Sequence, residues 1–190
     1  MKRKYELKAR AVRQAETRER IVEAAVELHT SVGPARTTVS AIAQRAGVER
    51  HTVYAHFPDE RALFEACTAH WDAQHPFPDP DGWPAIGEPL VRLQTALRDV
   101  YGWYDEVEAE LAVVRRDAQV HEVNAEAIAR YDGHLAELAD QLARGWPRRK
   151  TVRAAVGHAL EFETWRSLVR RQGLSRTQAV DSMLRLVDGA

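Results

Sequence analysis

The sequence has almost no cysteine and no long apolar segment. Its one cysteine, Cys67, excludes an internal disulfide bond and fits a reducing compartment; we interpret it as a buried, inert thiol. No apolar run approaches the ~20 residues that a membrane span needs, and no apolar segment follows the basic N-terminus as it would in a secretory signal. We therefore expect a cytoplasmic protein without a membrane partner.

Motifs for catalysis and for metal or cofactor binding are also missing. There is no glycine-rich phosphate loop, no Gly-x-Ser-x-Gly elbow and no protease-like cysteine context. Eight histidines raise the possibility of a metal site, but no Glu-x-x-His or His-x-x-x-His pair occurs. His51 and His56 are five residues apart, too far for ligands on one helix face. The sequence predicts no enzyme, no metal site and no cofactor.

Charge is distributed unevenly along a chain whose net charge is only −1. Residues 1–61 hold 12 Lys/Arg against 8 Asp/Glu, whereas residues 62–190 hold 15 against 20. A polyanion is therefore expected to bind at the N-terminal end. Residues 1–14 are either a solvated tail or an arm that contacts DNA phosphates or the minor groove; both interpretations stay open.

The chain is predicted to be all-α, because it has no period-two β-branched runs and no hairpin dipeptides. Residues 75–84 hold four prolines and a glycine, so we predict that no helix crosses them and that they form a loop. Apolar periodicity predicts helices at about 16–30, 38–46, 50–56, 59–73, 88–104, 107–117, 123–146, 148–172 and from 175 onward.

Residues 38–64 are the most informative part of the sequence. Thr38 is a good helix N-cap and Gly47 can adopt the positive φ that ends a helix. A second short helix, about 50–56, turns Val53 and Phe57 inward, and Asp59 can cap the next one. Helix, glycine turn and helix is the arrangement that presents side chains to a DNA major groove.

At these residues the chain resembles the tetracycline-repressor (TetR) family of bacterial transcriptional regulators. The resemblance implies a three-helix head, residues 1–61, and a bundle for ligand binding and dimerisation, residues 62–190, with about nine helices in all. It implies a regulator, most often a repressor, that binds a palindromic operator as a dimer and is released by a small organic molecule. The resemblance rests on Thr37-Thr38-Val39, Ile42-Ala43, Ala46-Gly47-Val48, Thr52-Val53-Tyr54, His56-Phe57 and residues 59–64, preceded by a similar first helix from Thr17.

Double-stranded DNA is thus the expected partner of the second short helix and its surroundings. We predict phosphate contacts from Thr38, Tyr54 and His56. Base edges are predicted to be contacted by Arg50, His51 and Thr52. Several positions depart from the family pattern. They are His29 where an aromatic core residue is usual, Pro34 and Arg36 in a loop where an apolar residue often closes the domain, Glu49 at a cap, and Ala55 where a longer side chain is common.

Two C-terminal helices carry apolar faces beyond the needs of the bundle's core. Their faces either join a second copy of the chain in a four-helix interface or are buried within one subunit. The family resemblance favours the homodimer. The residues of the two faces are Val152, Val156, Leu160, Trp165 and Leu168 on one helix and Ala179, Val180, Met183 and Leu186 on the other.

Aromatic and polar residues that four helices could bring together suggest a cavity for a small organic effector. The alternative for each ring is ordinary core packing. A rival function, a helical adaptor that binds only proteins, would not need a basic tail next to a recognition helix. The predicted effector-binding residues are Tyr101, Tyr104, Arg115, Tyr131, His158, Phe162 and Trp165.

Overall fold

The computed structural model describes residues 2–147 and 150–190, and the side chains from residue 8 onward. These residues form an all-helical fold, as predicted, without a β-strand. Short 3₁₀ helices lie at Pro34–Arg36 and Pro80–Ala85, and a π-helical turn at Ser167–Arg171. The α-helices are α1 Lys2–Ser31, α2 Val39–Ala46, α3 Arg50–His56, α4 Glu60–Gln74, α5 Pro89–Asp117, α6 Glu122–Leu142, α7 Lys150–Leu160, α8 Phe162–Arg166 and α9 Arg176–Asp188.

Local capping chemistry sets the ends of the short helices. The Thr38 hydroxyl accepts a hydrogen bond from the Ala41 N–H at 3.1 Å, and Gly47 ends α2 with φ 66°. Asp59 caps α4 by accepting from the Ala62 N–H at 2.8 Å. Ser175 forms a reciprocal capping box at the start of α9. All four residues act at the helix ends where the sequence predicts them.

Three predicted boundaries are wrong. The first helix begins at Lys2, not near residue 16, so helical backbone extends through the basic segment; the side chains of Lys2, Arg3 and Lys4 lie outside the described residues. Residues 88–104 and 107–117 belong to one helix, α5, because nothing between them breaks it. The predicted 148–172 helix is instead interrupted at Glu161, whose backbone is extended with ψ 137°.

The chain divides into two compact units. Unit 1 comprises residues 1–76 and 109–128, and unit 2 comprises residues 77–108 and 129–190. Residues 62–76 thus pack with the head in space, whereas the functional boundary between residues 61 and 62 stays a prediction.

Unit 1 has a core in which α1 packs against α2 and α4. Ile21 and Ala25 of α1 are fully buried, whereas Val32 is 39% exposed because α1 ends at Ser31 before reaching it. The buried core residues are Ile21, Val22, Ala24, Ala25, Ile42, Ala43, Ala46, Val53, Phe57, Leu63 and Cys67.

Candidate nucleic-acid interface and ring cluster

The short helix α3 divides its side chains among four strips, since successive residues are rotated by about 100°. Val53 and Phe57 point into the core of unit 1 and are at most 3% exposed. On the opposite side, His51 and Ala55 are exposed. The outward strip therefore presents one ring and one methyl group.

One flank of α3 is a pair of exposed side chains. The Arg50 Nη2 donates to the Tyr54 hydroxyl at 3.1 Å, and the guanidinium lies 5.5 Å from the centre of the Tyr54 ring. This contact holds a cation and a hydroxyl together at the helix surface, where both can meet an anion.

The other flank of α3 faces α1. Thr52 and His56 are half-buried, and together with α1 they line an open groove of about 460 Å³. The α1 residues of this groove are Ala9, Arg10, Arg13, Gln14 and Thr17.

The remaining predicted DNA-contacting residue, Thr38, is exposed at the N-terminus of α2. Its oxygen accepts the capping hydrogen bond, which leaves the hydroxyl hydrogen free to donate to a phosphate. The opposite end of α2 is held by Arg20, whose Nη1 donates to the Ala46 carbonyl at 3.1 Å. Glu49 precedes α3 without a side-chain capping bond.

The connection between α5 and α6 supports the head from within unit 1. The buried Asp117 carboxylate accepts from the Ala35 N–H at 3.0 Å and from the Arg116 Nε at 2.7 Å. Desolvation raises the pKa of Asp117, but these hydrogen bonds and the Arg116 charge outweigh it and the net pKa is lowered. Gly33, with φ 107°, has no room for a side chain, since a Cβ there would overlap the Asp117 carboxylate.

The first turns of α4 and α6 are joined by two polar contacts. Arg61 forms a two-pronged ion pair with Glu126, with Nη2 to Oε1 at 2.9 Å. His121 Nδ1 accepts from the Asn124 N–H at 3.2 Å and so caps α6, which leaves Nε2–H to donate to Glu60 at 3.3 Å. Sequence reasoning missed Asp117, His121 and Glu126, because only the packing of distant segments makes them partners.

His29 is held in the unit 1 core beside the one cysteine. Burial lowers the pKa of His29 from 6.5 to about 4, with a further contribution from the charge of His121. Burial, and after it the Asp72 charge, raises the pKa of the Cys67 thiol to about 12. The thiol is therefore protonated and donates to His29 Nδ1 across 3.4 Å, while the His29 and Phe64 ring centres lie 5.4 Å apart.

Unit 2 brings together four of the predicted effector-binding residues. Tyr101, Tyr104, Phe162 and Trp165 are each at most 1% exposed. Tyr104 lies 5.3 Å from Phe162 and 5.6 Å from Trp165 between ring centres, and its hydroxyl donates to the Leu160 carbonyl at 2.7 Å. These rings pack in mutual contact, which is the core arrangement named above as the alternative.

A neighbouring group of rings continues this cluster toward the surface of unit 2. Tyr131 is half-buried and its hydroxyl lies 3.0 Å from that of Tyr104. Phe77 packs edge-on against Trp103 at 5.2 Å and against His134 at 5.7 Å. These rings thus form one continuous cluster with Tyr104, Phe162 and Trp165.

Two of the predicted effector-binding residues are not in this cluster. Arg115 belongs to unit 1, whereas the other predicted residues belong to unit 2. His158 is exposed and lies beside Thr164 at 3.2 Å and Glu161 at 3.5 Å. The predicted effector-binding residues were chosen by helical spacing, which does not reveal that one part of α5 belongs to unit 1 and the other part to unit 2.

The apolar faces of the C-terminal helices are mostly buried within unit 2. Leu168 is half-buried and Leu186 is 46% exposed. The other residues predicted for these faces are each at most 8% exposed, as the single-subunit alternative expects, because α7 packs with both α8 and α9 and the π-helical turn packs with α9. These residues are Val152, Val156, Leu160, Trp165, Ala179, Val180 and Met183.

Metal and membrane chemistry find no support in the described ranges. Among the described side chains, those of residues 8–147 and 150–190, no three His, Cys, Asp or Glu residues cluster so that they could hold a metal ion. No described helix has both the length and the hydrophobicity needed to cross a membrane.

The fold and the exposed α3 define a helix-turn-helix DNA-binding domain on a helical bundle. The family described as "Bacterial regulatory proteins, tetR family" matches residues 21–67, which include the whole motif. Residues 21–67 therefore form a DNA-binding domain of the tetR type, as the resemblance predicted. The proteins that this domain matches are described as transcriptional regulators.

Two relatives from Pseudomonas putida are similar over 72 residues, or 38% of this chain, at 39% identity. They are the HTH-type transcriptional regulator SrpR and the uncharacterized HTH-type transcriptional regulator TtgW. The match spans 32% of SrpR and 52% of TtgW, so it covers less than two thirds of either relative.

Solved structures resemble the fold over nearly the whole chain. A TetR-like transcriptional regulator from Rhodococcus sp. RHA1 has a TM-score of 0.64 at 19% identity, covering 90% of this chain and 93% of that one. A TetR transcriptional regulator from the same organism has a TM-score of 0.51 at 21% identity, covering 93% and 96%. At such identities the likeness shows the fold alone.

Proposed function

We propose that this chain is a homodimeric, ligand-responsive transcriptional repressor that acts in the cytoplasm. It binds a palindromic operator through its two heads and leaves the operator when a small organic molecule binds. The observation that carries the proposal is α3, whose exposed strip lies between two polar flanks on a well-packed head. That arrangement suits insertion of α3 into a DNA major groove, with each flank next to one sugar–phosphate backbone.

Operator binding is tested by selecting bound sequences from random duplex DNA and footprinting the result. A dimer with two recognition helices gives a palindromic site, with half-sites about one helical turn (~34 Å) or a small multiple apart. A footprint that covers one asymmetric half-site, bound by a monomer, contradicts the proposal. The adaptor alternative predicts that the protein passes through a heparin column, whereas the regulator is retained and elutes with salt.

Dimerisation through the two C-terminal helices is supported by the apolar residues that unit 2 leaves uncovered. Leu186 of α9 is 46% exposed, and Leu184 and Leu168 are half-buried. We expect Leu186→Glu to shift the protein from dimer to monomer in sedimentation experiments, because a charge then replaces an interface side chain. Arg185→Glu, on the exposed side of the same helix turn, serves as the matched control.

Effector binding is proposed at the ring cluster of unit 2. Because Tyr104, Phe162 and Trp165 are already in contact, an effector must take the place of a ring. Phe77 is the one that we propose to move: it is half-buried, lies in the proline-rich segment and covers Trp103 edge-on. A flat, largely apolar molecule then stacks where Phe77 was.

This part is tested by tryptophan fluorescence with a panel of aromatic compounds. A compound that changes the fluorescence of the wild-type protein also releases it from the selected operator. Phe77→Ala alters the affinity for that compound while DNA affinity without it stays near normal. If the compound binds equally well to both proteins, the effector binds elsewhere.

A further inference from the structure

The groove between α1 and α3 is an interaction surface with a defined charge. Arg10 and Arg13 of α1 are exposed on its one wall, and Thr52 and His56 of α3 form the other. Gln14 and Thr17 add neutral hydrogen-bonding groups between them. The acidic residues of the same part of α1, Glu16 and Glu19, are not among the lining residues. The groove thus offers donors and cations with no carboxylate.

The groove exists because α1 is longer than the helix-turn-helix requires. Helical backbone continues to Lys2, and the turns that carry Arg10 and Arg13 run alongside α3. Residues three or four apart share one helix face, which brings Arg10, Arg13 and Thr17 onto a single face. A frayed tail would hold these charges at no fixed distance from α3, whereas a helix holds them beside Thr52.

We propose that this groove seats the sugar–phosphate backbone of duplex DNA, with Arg10 and Arg13 neutralising phosphates. Thr52 and His56 then contact the same strand, and the Arg50–Tyr54 pair contacts the strand on the other side of the major groove. His51 and Ala55 alone face the base edges. The inference rests on the proposed DNA binding and changes the predicted roles of Thr52 and Arg50.

The positions of these side chains around α3 support this division. Thr52 and His56 are four residues apart, so both lie on the side of α3 that faces α1. Around the axis of α3, each is rotated by at least about 100° from His51. A side chain directed toward α1 points away from the outward strip of α3, His51 and Ala55, which is the strip that would enter the DNA major groove. The exposed methyl group of Ala55 is suited to a thymine methyl group, and the His51 ring can donate to or accept from a base edge.

The first experiment measures the salt dependence of binding to a labelled random-sequence duplex. The variant is Arg10→Ala/Arg13→Ala, and the control is Lys8→Ala, which removes a charge from the opposite side of α1. A dimer has four of these guanidinium groups, and each phosphate neutralised contributes about 0.9 to the log–log slope. The slope of the double variant is therefore expected to be shallower by about 3–4, with the control close to wild type.

An unchanged slope in the double variant, with normal wild-type binding, overturns the groove proposal and leaves the proposed function intact. Failure of the wild-type protein to bind any duplex overturns both. Circular dichroism of the variants confirms that α1 is still folded, since both substitutions introduce a good helix former.

The second experiment separates phosphate contacts from base contacts by repeating the operator selection with two variants. Thr52→Val weakens binding to all sequences alike and leaves the selected consensus unchanged, because a phosphate contact carries no sequence information. His51→Ala changes the preference at particular base pairs. A changed consensus for Thr52→Val would return Thr52 to the base-reading strip and refute the proposal.

Discussion

The half-buried His29 makes the stability of the head depend on pH. Its pKa is lowered from 6.5 to about 4 in the folded chain, so it folds as a neutral ring. A group whose folded pKa is depressed contributes stability above its unfolded pKa and loses it as the pH falls toward the folded value. The free energy of unfolding is therefore expected to fall across the window between pH 6.5 and pH 4. It falls because the His29 side chain binds a proton in the unfolded chain at a higher pH than in the folded chain.

The magnitude follows from the two pKa values. Each unit of pKa difference corresponds to about 1.4 kcal/mol, so the whole window is worth about 3 kcal/mol. At pH 5 about 2 kcal/mol of it is already lost. Protonation also removes the lone pair of Nδ1 that accepts from Cys67. The imidazolium therefore lacks this hydrogen bond in addition to lacking full hydration.

Urea unfolding between pH 7.5 and pH 4.5 measures this loss. His29→Phe keeps a ring beside Phe64 but cannot be protonated, so the part of the pH dependence that falls between pH 6.5 and 4 should disappear. His51→Phe, which removes an exposed histidine, is the control and should unfold with the pH dependence of the wild type. If His29→Phe loses stability on acidification as steeply as the wild type, another group carries the effect and the reasoning is wrong.

Three further predictions concern single contacts. Tyr54→Ala should weaken binding to all duplexes alike, whereas His51→Ala should cost roughly 1–3 kcal/mol at particular base pairs in competition binding; the reverse pattern would exchange their roles. Asp117→Asn should lower the free energy of urea unfolding by about 1–3 kcal/mol, since a buried acceptor of two hydrogen bonds is weakened; no change would mean that the contact is not stabilising. Tyr104→Phe should cost about 1 kcal/mol by leaving the Leu160 carbonyl without its donor, and unchanged thermal stability would contradict this.

The features that could be predicted from the sequence are those that neighbouring residues determine. Thr38, Gly47 and Asp59 act within a few residues of themselves, so the boundaries of the motif follow from local chemistry. The break at Glu161 has no proline or glycine to mark it, and its extended backbone became visible only in the folded chain. The joining of two predicted helices into α5 shows the reverse error, in which weak apolar spacing suggested an end without a stop signal.

The candidate sites show the same division. The exposed residues of α3 could be predicted because a seven-residue helix with a buried Val53 has only a few ways to expose the rest, and their contacts with DNA stay a prediction. The effector site could not be assigned so well, because helical spacing does not reveal whether Tyr104 and Phe162 enclose a space or touch. Nor does it reveal that Arg115 belongs to a different unit from both.

Substitutions at Gly33 are expected to impair regulation although Gly33 lies outside α3. Any side chain there meets the Asp117 carboxylate and must also adopt a positive φ, so a substitution strains the turn between α1 and α2. The recognition residues themselves stay unchanged in such a mutant. Alleles with Ala or Ser at position 33 should therefore be conditional, with regulation retained in cool cultures and lost in warm ones. A screen for loss of regulation would recover them alongside lesions in α3, although no base pair is contacted from that turn.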